Sequence, residues 1–279
     1  MLEMKNVTKT FGDFKALDDL SLHVPQGSVY GLVGPNGAGK TTLIRCLIDI
    51  ISHKGKVLLN DKETGKKNDI CLYMGYLPQS FGMYPELTCA EALDYLYDMR
   101  KLPVKDKQQQ IEHSLAVVGL QDDAGKKVKA LSGGMLRRLG IAATLIGDSP
   151  ILIFDEPTAG LDPGERIRFH NIIRSLSRDK IIILSTHIMP DVEQLCDTIL
   201  VFHRGTIAAT GTPSQIAQYA QDKVFEIDAD QCTPRMIVVS LNNTAQGRMA
   251  RVLCQGDYPN PQQPTVTDGY LWITGGVQK

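Results

Sequence analysis

The chain has 279 residues, 43% of them apolar and 22% charged, and its 30 basic and 31 acidic residues leave a formal net charge of −1. These fractions exclude collagen, a coiled coil and wholesale disorder, and a chain of this length buries a substantial core without staples. The balanced charge gives no support for nucleic acid as a partner.

Cys46, Cys71, Cys89, Cys196, Cys232 and Cys254 are widely scattered, with no Cys-x-x-Cys pair. Reduced thiols are expected, with neither a zinc site nor a disulfide framework. The N-terminus, Met1-Leu2-Glu3-Met4-Lys5-Asn6, has no basic run followed by an apolar stretch, so no secretory signal is expected. The longest apolar runs are four residues, such as Ile151–Phe154; a membrane-spanning helix needs about 20.

In chain order, a strand-like run at Val29–Val33 is followed by a helical pattern over Lys40–Ile50 and a strand at Lys56–Asn60. Helical patterns then fill Cys89–Arg100, Lys105–Val118 and Met135–Ile146, with no convincing strand between about 81 and 146. That block is expected to be a helical subdomain inserted into a sheet domain. Strands return at Ile151–Phe154, Ile181–Ser185 and Thr198–His203, with a helix at Gly164–Ser177. Unbroken apolar strands imply burial on both faces, and their alternation with helices implies an α/β domain with a largely parallel sheet. Beyond Gly211-Thr212-Pro213, a short helix at Pro213–Ala220 leads into weak β patterns at Val224–Ile227, Met236–Leu241, Arg248–Gln255 and Tyr270–Thr274. Residues 256–264 hold three prolines and are expected to be loop. The division expected is a first domain over 1–221 and a small β-rich appendage over 222–279.

Gly34-Pro35-Asn36-Gly37-Ala38-Gly39-Lys40-Thr41 fits G-x-x-x-x-G-K-[ST], between a strand and a helix as that pattern requires. The glycines let successive N–H groups turn inward, and with the helix start they make an anion nest suited to phosphates. Lys40 is placed to reach the β- and γ-phosphates, and the Thr41 hydroxyl to ligate Mg²⁺. The strand Ile151–Phe154 ends abruptly in Asp155 and Glu156. Those acids either mark the chain surfacing from the sheet or serve the nucleotide; with a phosphate loop on the same chain the second reading wins. Asp155 would then hold Mg²⁺ and Glu156 would polarise the attacking water as general base.

These residues resemble the nucleotide-binding subunit of an ATP-binding cassette (ABC) transporter, over about residues 1–211 and with the motifs in the family's order. Leu131-Ser132-Gly133-Gly134 is similar to the family signature, Gln79 to the Q-loop residue, Ala159-Gly160-Leu161-Asp162 to the D-loop and Ser185-Thr186-His187 to the switch histidine. The resemblance implies a P-loop NTPase fold of ABC type, with ATP and Mg²⁺ bound and ATP hydrolysed. It implies that residues 34–42, including Thr42, hold the ATP, and that Phe11 faces the adenine. Gln79 would touch Mg²⁺ or the attacking water, and His187 the γ-phosphate. Ser132, Gly133 and Gly134 would contact the ATP of a second, twin subunit, with Asp162 at the dimer seam. Taken alone, Ser132 and Asp162 are also good helix caps, and Phe11 an ordinary core aromatic. Met135 stands where the family commonly has Gln, and the pair Arg137-Arg138 is expected to be a solvated face.

The segment containing Phe81, Met83, Tyr84 and Leu87 matches the surface where the family receives its membrane permease; the same side chains also suit a small core of the helical insert. Val224-Phe225-Glu226-Ile227 and Thr267-Asp268-Gly269-Tyr270-Leu271 are similar to the C-terminal pattern of the ABC-2-type exporter group, with Thr267 where that group has Glu. The resemblance implies export through a separate ABC-2-type permease, from the cytoplasmic face of the membrane. A soluble ABC ATPase acting on nucleic acid or the ribosome is the alternative; the paired cassettes, coiled coil or zinc modules of such proteins are not seen in the sequence.

Overall fold

Alternating side chains on buried strands sort themselves onto two faces, and this sorting organises the molecule. The computed structural model describes residues 1–60, 62–64, 73–102, 106–244, 247–256 and 258–275; Cys71 lies outside them. The first strands are β1 (Leu2–Phe11), β2 (Phe14–Val24) and β3 (Val29–Val33), followed by helix α1 (Lys40–Leu47). Next come β4 (Lys54–Leu59), β5 (Lys62–Thr64) and β6 (Met74–Leu77), then α2 (Cys89–Met99), α3 (Lys107–Val117) and α4 (Gly133–Leu145). The chain continues through β7 (Ile151–Asp155), α5 (Pro163–Leu176), β8 (Ile181–Ser185), α6 (Met189–Leu195), β9 (Thr198–His203), β10 (Thr206–Gly211) and α7 (Pro213–Gln218).

The central sheet runs β10-β9-β3-β8-β7-β6. Its pairs are parallel except for the β9–β10 hairpin. Every residue of β3, β7 and β8 is buried. Leu152, Phe154, Ile182 and Leu184 face a core shared with α2–α6. Ile151, Ile153, Ile181 and Ile183 face a second core shared with α1 and an antiparallel sheet of order β2-β1-β4-β5. Both faces being covered is why these strands carry no polar alternation.

The N-terminal hairpin was not singled out from sequence. Its strands are half-exposed, and the β1–β2 pairing shifts register between Met4 and Val7, Val7 and Lys9, and Lys9 and Thr10. Such bulges break the period of two that marks a strand. The hairpin ends with Phe11 opposite Phe14 across Gly12-Asp13.

At the C-terminal end, β11 (Val224–Asp228), β12 (Ile237–Thr244) and β13 (Gly247–Leu253) form a small antiparallel sheet of order β11-β13-β12. The strand expected at Tyr270–Thr274 is instead part of a helix, α8 (Val266–Gly275). Its start is fixed by Asp268, whose carboxylate accepts from the Thr265 N–H and hydroxyl, each at 2.7 Å, and from Arg251 Nη2 at 2.6 Å. At Gly269 a Cβ would lie 1.8 Å from the Ile216 carbonyl oxygen, so the missing side chain lets α8 press onto α7. Val266, Tyr270 and Ile273 join the same core as α6. Helix geometry with a local cap and a close helix contact overrides the β-prone composition of Tyr-Leu-Trp-Ile-Thr.

Candidate active site

The loop between β3 and α1 is held open by its glycines. Gly37 and Gly39 have φ of +79° and +110°. A Cβ on Gly39 would lie 2.8 Å from the Ala16 carbonyl oxygen, so the position admits no other residue without a shift. No side chain caps the start of α1. Its first N–H groups are therefore free for an anion. Lys40 is buried, and its ammonium donates to the carbonyls of Gly34 at 2.7 Å and Pro35 at 3.2 Å. Burial pushes its pKa below the ordinary amine value, against the opposing pull of Glu156 and Asp155. Residues 36–42, Phe11, Gln79 and Glu156 line one cavity of about 260 Å³, together with Phe14, Ala16 and Ser185.

Beside this cavity Thr41 Oγ1 donates to Asp155 Oδ2 at 3.2 Å. Asp155 and Ser185 are partners across β7 and β8. Asp155 Oδ1 and Ser185 Oγ are both buried with no hydrogen-bond partner among the described residues. Buried oxygens left unsatisfied next to a hydroxyl ligand fit a hydrated divalent cation, which would satisfy them.

Glu156 follows the last residue of β7 and takes φ of +49°, a left-handed conformation unusual for a residue with a side chain. Its N–H donates to the Ser185 carbonyl at 2.9 Å. His187, whose side chain is 62% exposed, places Nδ1 2.8 Å from Glu156 Oε2, a close contact outside hydrogen-bond alignment. Asp155, Glu156, Thr41 and Lys40 thus meet around one anion nest, with His187 against Glu156, an arrangement suited to in-line attack of water on a terminal phosphate.

Ser132 caps α4, its hydroxyl accepting from the Met135 N–H at 3.2 Å, and Asp162 caps α5, accepting from the Glu165 N–H at 2.8 Å. Ser132 and Gly133 are exposed, and neither they nor Gly134 nor Asp162 lines the phosphate cavity. Behind the loop that follows Glu156, the Thr158 hydroxyl donates to Asp191, which also contacts His170 Nε2 at 2.8 Å. This ties the loop to α6, the helix that follows His187.

The ABC transporter family model matches residues 17–159. The chain belongs to the ABC transporter family. It is 33% identical over 233 residues to the uncharacterized ABC transporter ATP-binding protein YxlF of Bacillus subtilis (strain 168), covering 83% of this chain and 77% of that one. It is 32% identical over 271 residues to the Nod factor export ATP-binding protein I of Ralstonia nicotianae, covering 95% and 84%. Among solved structures, an ATP-binding subunit of an ABC transporter superposes with a TM-score of 0.70 at 26% identity, over 78% of this chain and 92% of that one. A cassette solved as a dimer bound to ADP and Pi shares the fold, with a TM-score of 0.67 at 23% identity over 76% and 98%. This ABC subunit is accordingly an ATP-binding protein that hydrolyses ATP.

The cassette corrects one sequence expectation outright. Arg137 is not on a solvated face. Its Nε donates to the Pro157 carbonyl at 2.8 Å. Nη1 donates to Pro78 and Gln79, both at 3.1 Å, and Nη2 to Asp155 at 3.1 Å and Glu156 at 2.8 Å. Burial pushes its pKa down while Asp155 and Glu156 pull it up, and a guanidinium stays charged throughout. Arg138 is also engaged, with Glu165 at 3.1 Å and the carbonyls of Val118 and Gly119, both at 3.0 Å. Phe14 and Ser185 are further cavity residues of the cassette that motif reasoning did not assign. The pairing of Phe14 with Phe11 was open to a hairpin reading of Phe-Gly-Asp-Phe.

Proposed function

We propose that this ABC subunit powers export through a separate membrane permease of ABC-2 type, and that two copies sandwich two ATP molecules. The observation that carries the catalytic part is the meeting of Thr41, Asp155 and Glu156 around a buried Lys40, with His187 against Glu156. Residues 34–42 wrap the phosphates, and Lys40 exchanges its loop carbonyls for phosphate oxygens. Thr41 and Asp155, with Gln79, hold Mg²⁺, which neutralises phosphate charge. Glu156 takes the proton of the attacking water, and His187 keeps contact with the γ-phosphate. Phe11 stacks on the adenine. Ser132, Gly133 and Gly134 serve the ATP of the partner subunit, and Asp162 lies at the seam; the exposure of Ser132, Gly133 and Asp162 away from the chain's own phosphate cavity supports this.

Export is supported by the Nod factor export relatives and by the tail pattern around Asp268. Attachment to a permease at the cytoplasmic face is supported by a cavity of about 370 Å³ on the helical insert. Met83, Tyr84 and Leu87 line it with Tyr95, and the Tyr84 and Tyr95 rings stack edge-on at 5.3 Å. Phe81 turns instead toward Gly140 of α4, filling the insert's own core. Among the described residues, no helix is long and apolar enough to cross a membrane. Residues 1–221 form the ATPase domain in this reading, with 81–146 as its helical insert and 222–279 as the appendage.

Glu156→Gln tests the catalytic assignment. Turnover is expected to fall by about 10²–10⁴-fold while ATP–Mg²⁺ binding persists and a closed dimer accumulates. Unchanged turnover removes Glu156 from the role of base. For the permease, Tyr84→Asp is expected to abolish co-purification with a co-expressed six-helix permease while leaving nucleotide binding intact.

A further inference from the structure

We infer that Arg137 is a positioning residue for hydrolysis, fixing the Glu156 turn and the Gln79 segment in one frame set by the helix that begins at the signature. A guanidinium has five N–H donors, and here all five are directed at main-chain carbonyls, those of residues 78, 79, 155, 156 and 157. These carbonyls belong to two segments that leave adjacent parallel strands, β6 and β7. Few side chains can span both; a lysine has three donors on a single point and no planar fork.

The Glu156 backbone gives this contact its consequence. A residue with a side chain persists at φ of +49° only when its surroundings hold it there. Three hydrogen bonds grip the Glu156 peptide groups: its N–H donates to the Ser185 carbonyl at 2.9 Å, and its carbonyl accepts from Arg137 Nη2 at 2.8 Å and from the Ala159 N–H at 3.4 Å. Removing the Arg137 bond leaves that carbonyl only the long turn bond, which lets the turn relax and re-aims the Glu156 carboxylate, otherwise held in the cavity wall beside His187. The contacts to Pro78 and Gln79 fix the point from which the Gln79 side chain reaches the same cavity. Arg137 lies within the first turns of α4, whose N-cap is Ser132. Any tilt of that helix therefore moves base and Q-loop together, so the surface offered to a partner's nucleotide and the chain's own hydrolytic groups share one strut.

This inference rests on Glu156 being the general base. The test compares Arg137→Lys and Arg137→Ala with Glu156→Gln in the full chain, reading thermal unfolding, equilibrium binding of ATP without Mg²⁺ and steady-state hydrolysis at saturating Mg²⁺. Affinity for metal-free ATP is expected to stay at the parent value, because the phosphate loop touches none of the five carbonyls. The kcat is expected to fall on the order of 10–100-fold in both Arg137 variants, and free guanidinium ion to restore part of it in Arg137→Ala. A kcat for Arg137→Lys equal to the parent's overturns the inference, as does a kcat that falls only in step with nucleotide affinity. An Arg137→Lys chain that fails to fold also overturns it, since the residue is then a structural one. If Glu156→Gln keeps full turnover, the base assignment itself fails; if that variant is inactive and Arg137→Lys is not impaired, only the role of Arg137 falls.

Discussion

Phe11 and Phe14 are 51% and 63% exposed, a costly arrangement for two large apolar rings unless something covers them. They line the hairpin end of the cavity, and its polar side chains come from the phosphate loop and the strand ends. A purine stacked there gains area without a directional contact at its edge. Phe11→Ala and Phe14→Ala are each expected to weaken ATP binding by about 1–3 kcal/mol, read by isothermal titration, with little change in the ratio of ATP to GTP affinity. Lys40, Thr41, Asp155 and Glu156 were legible from sequence because their partners are close neighbours or a second short motif. Arg137 was not legible, because its partners are backbone carbonyls far away in sequence, and a carbonyl carries no residue identity. Ser185 was seen only as the residue before Thr186 and His187; its orphaned hydroxyl emerges when β7 and β8 are aligned.

Among the elements, Val29–Val33, Ile181–Ser185 and Thr198–His203 were read from sequence with their observed bounds, because burial on both faces leaves no ambiguity of period. The seven-residue α6 is too short to show a period, and α8 was mistaken for a strand because its cap and its close contact at Gly269 are tertiary features. That helix makes a clear prediction. Burial raises the Asp268 pKa, but Arg251 and Thr265 outweigh it and hold the carboxyl below its ordinary value of 3.8. A depressed folded pKa contributes stability above the ordinary value, and that contribution is lost as pH falls through the folded one. Docking of α8 is therefore expected to persist at neutral pH and to weaken only below about pH 4. Trp272 is the only tryptophan and lies under Lys223 Nζ at 4.3 Å from the ring centroid, so its fluorescence reports the release. Asp268→Asn is expected to remove about 1.5–3 kcal/mol of that docking at neutral pH; an unaltered Trp272 signal across the acid range contradicts the clasp. Gly269→Ala, which puts a methyl against the Ile216 carbonyl, is expected to lower the melting temperature and shift the same emission.

For the whole molecule, two hydrophobic cores on opposite faces of one sheet keep the strand ends rigid, and the phosphate loop, Asp155, Glu156 and His187 all emerge from that edge. The fold class, one cassette with a small C-terminal sheet, was legible because periodicity and motif order agree. Ser132 and Gly133 stand exposed outside the chain's own phosphate cavity, as a surface meant for a second copy would. A direct test mixes two crippled chains, Ser132→Arg and Glu156→Gln. Each alone is expected to be nearly inactive in hydrolysis, whereas a mixed dimer rebuilds one complete site from the Glu156 of one chain and the Ser132 of the other. Recovery of turnover well above the average of the separate chains is the expected result. A mixture that only averages its components, or a Ser132→Arg chain with full activity, contradicts shared active sites.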